Sequence, residues 1–191
     1  MPRNTLAQTF VRLTGLTFLA WIITLAPVLA MAAENTSLEY AVKAAYLYKF
    51  GNFVEWPAAA FENASSVVNL CVVGEDPFGD ILDKVVQGQT IGDRPIRVRR
   101  LKTVTRDSGC HILYVGGADT ERIAQTLEAV RGANVLTVTD AADTGRSESV
   151  IDFVIKDDHV RFNIDAHAAS LNGLTISSKL LGLALSVTSG K

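Results

Sequence analysis

Short runs of β-branched and apolar residues alternate with helix signals along residues 34–191, and that alternation leaves few architectures open. Thr36-Ser37-Leu38-Glu39 has the form of a capping box, with Thr36 as cap and Glu39 three residues on. A helix is expected from there to about Val54, with Val42, Ala45, Tyr46, Phe50, Phe53 and Val54 at helical spacing on one face. Glu55-Trp56-Pro57 ends it, because the residue before a proline avoids the helical region. Val67–Val73 predicts a first strand, and Asp76-Pro77 a capped helix that runs to about Val86 and stops at Gly88. Pro95–Leu101, Cys110–Val115 and Val135–Thr139 predict three more strands, with a helix over Asp119–Arg131 that turns Ile123, Leu127 and Val130 inward. Val150–Lys156 and His159–Asp165 flank Asp157-Asp158 and read as an antiparallel hairpin. A short helix ends near Asn172-Gly173, and Ser177 or Ser178 caps a last one with Leu180, Leu181, Leu183, Ala184 and Leu185.

This order predicts an α/β fold: a single domain with a largely parallel open sheet flanked by helices, and a C-terminal antiparallel hairpin. Lys102–Gly109 is eight residues, short for a parallel crossover with a full helix. Either a single helical turn or extended segment crosses there, or that strand pair is antiparallel. Asp140–Ser149 is polar, contains Gly145 and reads as the longest surface loop.

Residues 1–32 stand apart. Arg3 and Arg12 are the only charges before Glu34, the run from Leu13 to Leu29 is apolar, Pro27 breaks it, and Ala30-Met31-Ala32 supplies a small-x-small end. A basic start, an apolar middle and a small-residue end describe a cleavable export signal. Cleavage after Ala32 or Ala33 leaves one domain, residues 33–191, outside the cytosol. Losing two arginines leaves it 16 Lys+Arg against 20 Asp+Glu, a formal charge of -4. That balance offers no global attraction for nucleic acid. ATP-dependent chemistry is disfavoured in a compartment without the cytosolic nucleotide pool.

Export changes how Cys71 and Cys110 read. An even pair in an oxidising compartment favours a bridge. Both residues sit at the front of strand-like runs, where neighbouring first and third strands would bring them within reach. A passive staple, a redox-sensing bridge and two free thiols all remain open at this level. The absence of Cys-x-x-Cys disfavours a thioredoxin-like oxidoreductase.

No catalytic constellation emerges. Gly74–Gly79 has the glycine spacing of a phosphate loop but lacks the following Lys-Ser/Thr, and Glu75 and Asp76 would repel phosphate. His111, His159 and His167 show no metal-ligand spacing, and Ser177-Ser178-Lys179 is not Ser-x-x-Lys. No cofactor or metal is expected, and an enzyme is disfavoured. Binding surfaces are the better prospect. Tyr40, Ala44, Leu47 and Gly51 form a second apolar stripe on the first helix. A helix apolar on two sides must bury both. Tyr40 and Leu47, with Leu180, Leu181 and Leu183 near the C-terminus, are therefore candidates for a partner or homodimer surface, internal burial being the alternative. A small-molecule sensor or solute-binding domain is a second reading, since Gly74 and Gly116-Gly117 close strands where open sheets hold ligands.

The stretch Glu39-Tyr-Ala-Val-Lys-Ala-Ala-Tyr-Leu-Tyr-Lys-Phe-Gly-Asn-Phe-Val-Glu-Trp-Pro57 resembles the YfiR-like family of small exported bacterial proteins. The resemblance continues through Leu70–Gly79, Cys110–Tyr114, Val135–Asp140, Val160–Ile164 and Leu174–Leu181, in the family's order. It implies a periplasmic α/β protein that represses a membrane-bound diguanylate cyclase by binding its periplasmic sensor region, lowering cyclic-di-GMP and biofilm formation. It also implies sequestration by an outer-membrane lipoprotein, and sensitivity to redox state through disulfides. Cys71 and Cys110 match the family's pair at the strand starts. Gly145 and Asp152 stand where family members carry a second pair, so a second bridge is not expected here.

Overall fold

The structure, a computed structural model, describes residues 26–63, 65–140 and 148–190, with only the backbone for 26–36. The candidate export signal is thus outside the described residues up to residue 25, and so is most of the Asp140–Ser149 loop, Gly145 included. The chain divides into two compact units, Met1–Glu39 and Tyr40–Lys191. Among the described residues no helix is long and apolar enough to cross a membrane.

Helix α1 spans Ala26–Gly51. Thr36 lies inside it, so the expected capping box does not open the helix. The helical backbone continues upstream and already supplies the carbonyls that a cap would replace. The helix stops three residues before Val54, in a turn where Asn52 and Phe53 donate to the carbonyls of Lys49 and Phe50. Strand β1 (Val54–Glu55) follows, and then β2 (Val68–Gly74), α2 (Asp80–Val86), β3 (Thr90–Ile91) and β4 (Arg94–Leu101). Next are β5 (Ile112–Gly116), α3 (Thr120–Ala129), β6 (Leu136–Thr139), β7 (Ile151–Lys156) and β8 (His159–Asp165). Helix α4 (Ala166–Leu171), β9 (Thr175–Ile176), α5 (Ser178–Leu181) and β10 (Ser186–Thr188) complete the chain.

Eight strands form one sheet in the order β10-β8-β7-β6-β5-β2-β4-β3. Its central five, from β7 to β4, run parallel. The α/β class, the mostly parallel sheet and the C-terminal hairpin agree with the sequence reading. The short crossover resolves as a single 3-10 turn, Arg106–Ser108, on the way from β4 to β5, and the strands it joins are parallel. Asp157 and Asp158 both take positive φ, 52° and 57°, as a two-residue hairpin turn between β7 and β8 requires.

Four short strands were not legible in the sequence. β3 pairs antiparallel with β4 at Arg94 and Pro95, and β1 pairs with β9 in a separate two-stranded sheet. The expected Leu-rich last helix is only four residues long. A turn closes at Leu183 and Ala184, whose N–H groups donate to the carbonyls of Leu180 and Leu181, and β10 then adds to the sheet edge beside β8, in parallel. Asp76 also differs from expectation: its carboxylate accepts from the N–H groups of Phe78 and Gly79, shaping the turn, while α2 begins only at Asp80.

The middle strands β2, β5 and β6 are buried on both faces, as the centre of a parallel sheet must be. Alternation along β2 and β5 divides them: Leu70, Val72, Ile112 and Tyr114 join Ala44, Leu47 and Phe50 of α1 in the larger core. Cys71, Val73, Leu113 and Val115 join Leu127 of α3 and Val130 beyond it on the opposite face.

Candidate functional site

The functional geometry of an open parallel sheet collects at the carboxyl ends of its strands. From β2 the chain crosses to β4 on one side, and from β5 it crosses to β6 on the other. The point between β2 and β5 is therefore the topological switch, where such sheets leave a crevice. A cleft of about 730 Å³ lies there. Val73, Val104, Val115 and Ile123 give it apolar lining. Glu75, Lys102, Asp119 and Arg122 bring charges of both signs. Glycine is required at its base: a Cβ on Gly74 would stand 2.1 Å from the Gly116 carbonyl oxygen. That close approach lets the Glu75 N–H donate to the same oxygen at 3.2 Å.

Below the cleft, Cys71 and Cys110 form a disulfide with Cα atoms 5.8 Å apart. Cys71 is not at the front of its strand. It sits in the middle of β2, fully buried and in register with Leu113, whereas Cys110 lies two residues before β5. The bridge therefore ties the β4–β5 crossover to the face of the central strand, inside the smaller core with Val104.

A buried polar cluster was missed in the sequence. Lys43, inside α1, is 1% exposed, and its Nζ donates to Asp140 at 2.6 Å. The ammonium also lies over the Tyr40 ring, 4.8 Å from its centroid. Beside it the Asp152 carboxylate accepts from the hydroxyls of Ser149, at 2.6 Å, and Thr139. The lysine falls between Val42 and Ala44, where its charge suggests a solvated helix face. Only the packing of α1 against the ends of β6 and β7 turns it inward.

The candidate surface residues separate sharply. Leu47 is 0% exposed and Leu180 is buried beside it in the larger core, so neither presents surface to a partner. The α1 stripe that carries Leu47 is apolar because it packs in that core. Tyr40 and Leu181 are half-buried against that core, Tyr40 edge-on to Phe78. Leu183 is 61% exposed. Leu183 lies in the turn after α5, Leu185 just before β10 and Val187 within it, and all three are exposed. Ser177 caps α5 by accepting from the Leu180 N–H, so its hydroxyl is a structural group.

His111 is structural too. It is buried, and its Nδ1 accepts from the Asn69 N–H at 3.0 Å, which leaves the proton on Nε2, 3.0 Å from the Ala60 carbonyl oxygen. The ring stacks on Phe61. Burial pushes its pKa below the ordinary 6.5; the Ala60 carbonyl opposes that shift and nearby Arg94 adds to it. His159 and His167 are exposed. Among the described residues no group of three or more His, Cys, Asp or Glu side chains is placed to hold a metal.

The YfiR/HmsC-like family profile matches residues 40–185, more than half of the chain. No curated protein matches it.

Proposed function

The chain belongs to the YfiR/HmsC-like family, and from that premise we propose that it is a periplasmic regulatory binding protein that represses an inner-membrane diguanylate cyclase. It would hold the cyclase's periplasmic sensor region in an inactive state and so lower cyclic-di-GMP and biofilm formation. The family match over residues 40–185 carries this reading. Processing after Ala32 or Ala33 would deliver residues 33–191 to the periplasm. Repression by grip requires preferential affinity for one sensor state and no turnover. Moving a sensor from 1:99 to 99:1 takes about 5.5 kcal/mol of that preference. Competition from an outer-membrane lipoprotein for the same protein would release the cyclase. Exposed apolar side chains at Leu183, Leu185 and Val187, close together in the C-terminal segment, support the reading, since such a cluster is the sort of surface a protein partner covers. Capture of the cyclase's periplasmic region by residues 33–191 tests the proposal. Binding is expected, and its absence under both oxidising and reducing conditions would reject it. Light scattering of the same sample reads whether that cluster pairs two copies instead.

The cleft at the β2–β5 switch favours a second reading, a small-molecule sensor. A thermal shift screen with amino acids, sugars and cofactors tests it, a flat result counting against it.

A further inference from the structure

Residues 94–106 carry six basic side chains, Arg94, Arg97, Arg99, Arg100, Lys102 and Arg106, and no acidic one. The rest of residues 33–191 has ten Lys+Arg against all twenty Asp+Glu. The run covers β4 and the turn that follows it. Two of its members are committed to the fold. Arg94 lies over the Phe61 ring and donates to the carbonyls of Asn63 and Ser66. Arg100 is neutralised by Asp83 and Asp76, at 2.7 and 2.6 Å, which hold its guanidinium firmly charged. Arg97, Arg99, Lys102 and Arg106 make no ion pair among the described residues; Arg99 donates only to the Ser108 carbonyl.

The backbone beneath these charges is also unpaired on one side. β2 takes the inner edge of β4 from Ile96 to Leu101. On the outer edge β3 reaches only Arg94 and Pro95, and among the described residues no strand pairs beyond them. A row of outward N–H and C=O groups is a template for another strand. Basic side chains deter a neutral or basic strand from that edge. For an acidic strand the same row becomes attractive. Arg97 and Arg99 lie two residues apart on one face, so they would meet alternate residues of an incoming strand.

We propose that the outer edge of β4, from Ile96 to Leu101, docks an extended acidic polypeptide segment of a partner protein by strand addition. The inference rests on the reading that this protein works by binding another protein, but its test needs no cyclase. A fluorescent acetylated heptapeptide alternating Glu and Val serves as the probe, with the disulfide-intact chain 33–191 as receptor. Saturable binding that weakens with salt is expected, with slowed hydrogen exchange at residues 96–101. Charge reversal at two exposed sites, Arg97→Glu with Lys102→Glu, should weaken binding by about tenfold or more while leaving the circular dichroism spectrum unchanged. A probe N-methylated at every amide should not bind. Equal binding of the N-methylated probe would overturn strand addition. Binding to phosphatidylglycerol vesicles without binding to the peptide would overturn it in favour of a membrane surface. Failure of the probe would remove this edge while leaving the cyclase capture experiment standing.

Discussion

Cys71 shows how one residue can decide the role of a bond. Its sulfur is enclosed by the smaller core, so a reductant must wait for that core to open. The bridge spans 39 residues of sequence, worth about 4 kcal/mol by loop entropy alone. Cys71→Ser should therefore lower the stability of residues 33–191 by roughly 2–4 kcal/mol under oxidising conditions, read as the urea midpoint. Equal midpoints would refute a structural bridge. His111 makes a pH prediction. Its folded pKa lies below the unfolded value, so between the two the unfolded chain binds more protons. Its contribution is fully present above about pH 6.5 and is lost as pH falls from there toward the folded pKa. His111→Gln should flatten that part of the stability profile, which urea titrations at pH 7.5 and 5.5 would detect. The sequence reading put His111 within the strand run Cys110–Val115, but the tautomer follows from Asn69 and Ala60, far away along the chain.

Among the elements, α1 is the most informative. Both of its apolar stripes are used within the domain: Leu47 and Ala44 pack on the sheet, Phe50 joins them from the first stripe, and Val42 is left exposed. The interior lysine of this helix predicts an ordering of variants. Asp140→Asn removes the carboxylate from a buried ammonium and should cost about 2–3 kcal/mol. Lys43→Met keeps the volume and removes the buried charge, so it should cost less. Denaturant melts of the two variants, side by side, check the order. The β7–β8 hairpin offers a gain instead. Asp158 holds φ at 57°, a region that glycine enters without steric penalty. Asp158→Gly should leave stability unchanged or raise it by up to about 1 kcal/mol, read by thermal melting.

For the whole molecule, the question is which surfaces the sheet leaves unfinished. Two edges stand out, one apolar around Leu183, Leu185 and Val187, and one basic along β4. Leu183→Asp with Val187→Asp should weaken capture of the cyclase's periplasmic region by about tenfold or more if the apolar edge carries the contact. The thermal midpoint should fall by little, because Leu183 is mostly in water and Val187 partly so. The two edges separate experimentally: salt should weaken binding at β4 and barely affect binding at the C-terminal edge.

The apolar rhythm along the chain was enough to define an α/β sheet, its parallel centre and its closing hairpin, because strands buried on both faces need near-continuous Val, Ile and Leu. It also marked Cys71 and Cys110 as a pair worth testing for contact. It did not reveal β3, β1, β9 or β10. Each has two or three residues, too few to show a period, and each exists only because another strand lies alongside. Nor could it separate Leu47 and Leu180, which are core, from Leu183, which is surface. Apolar character says that a side chain gains by leaving water. Which neighbour covers it depends on contacts between segments distant along the chain, and only the folded molecule supplies those.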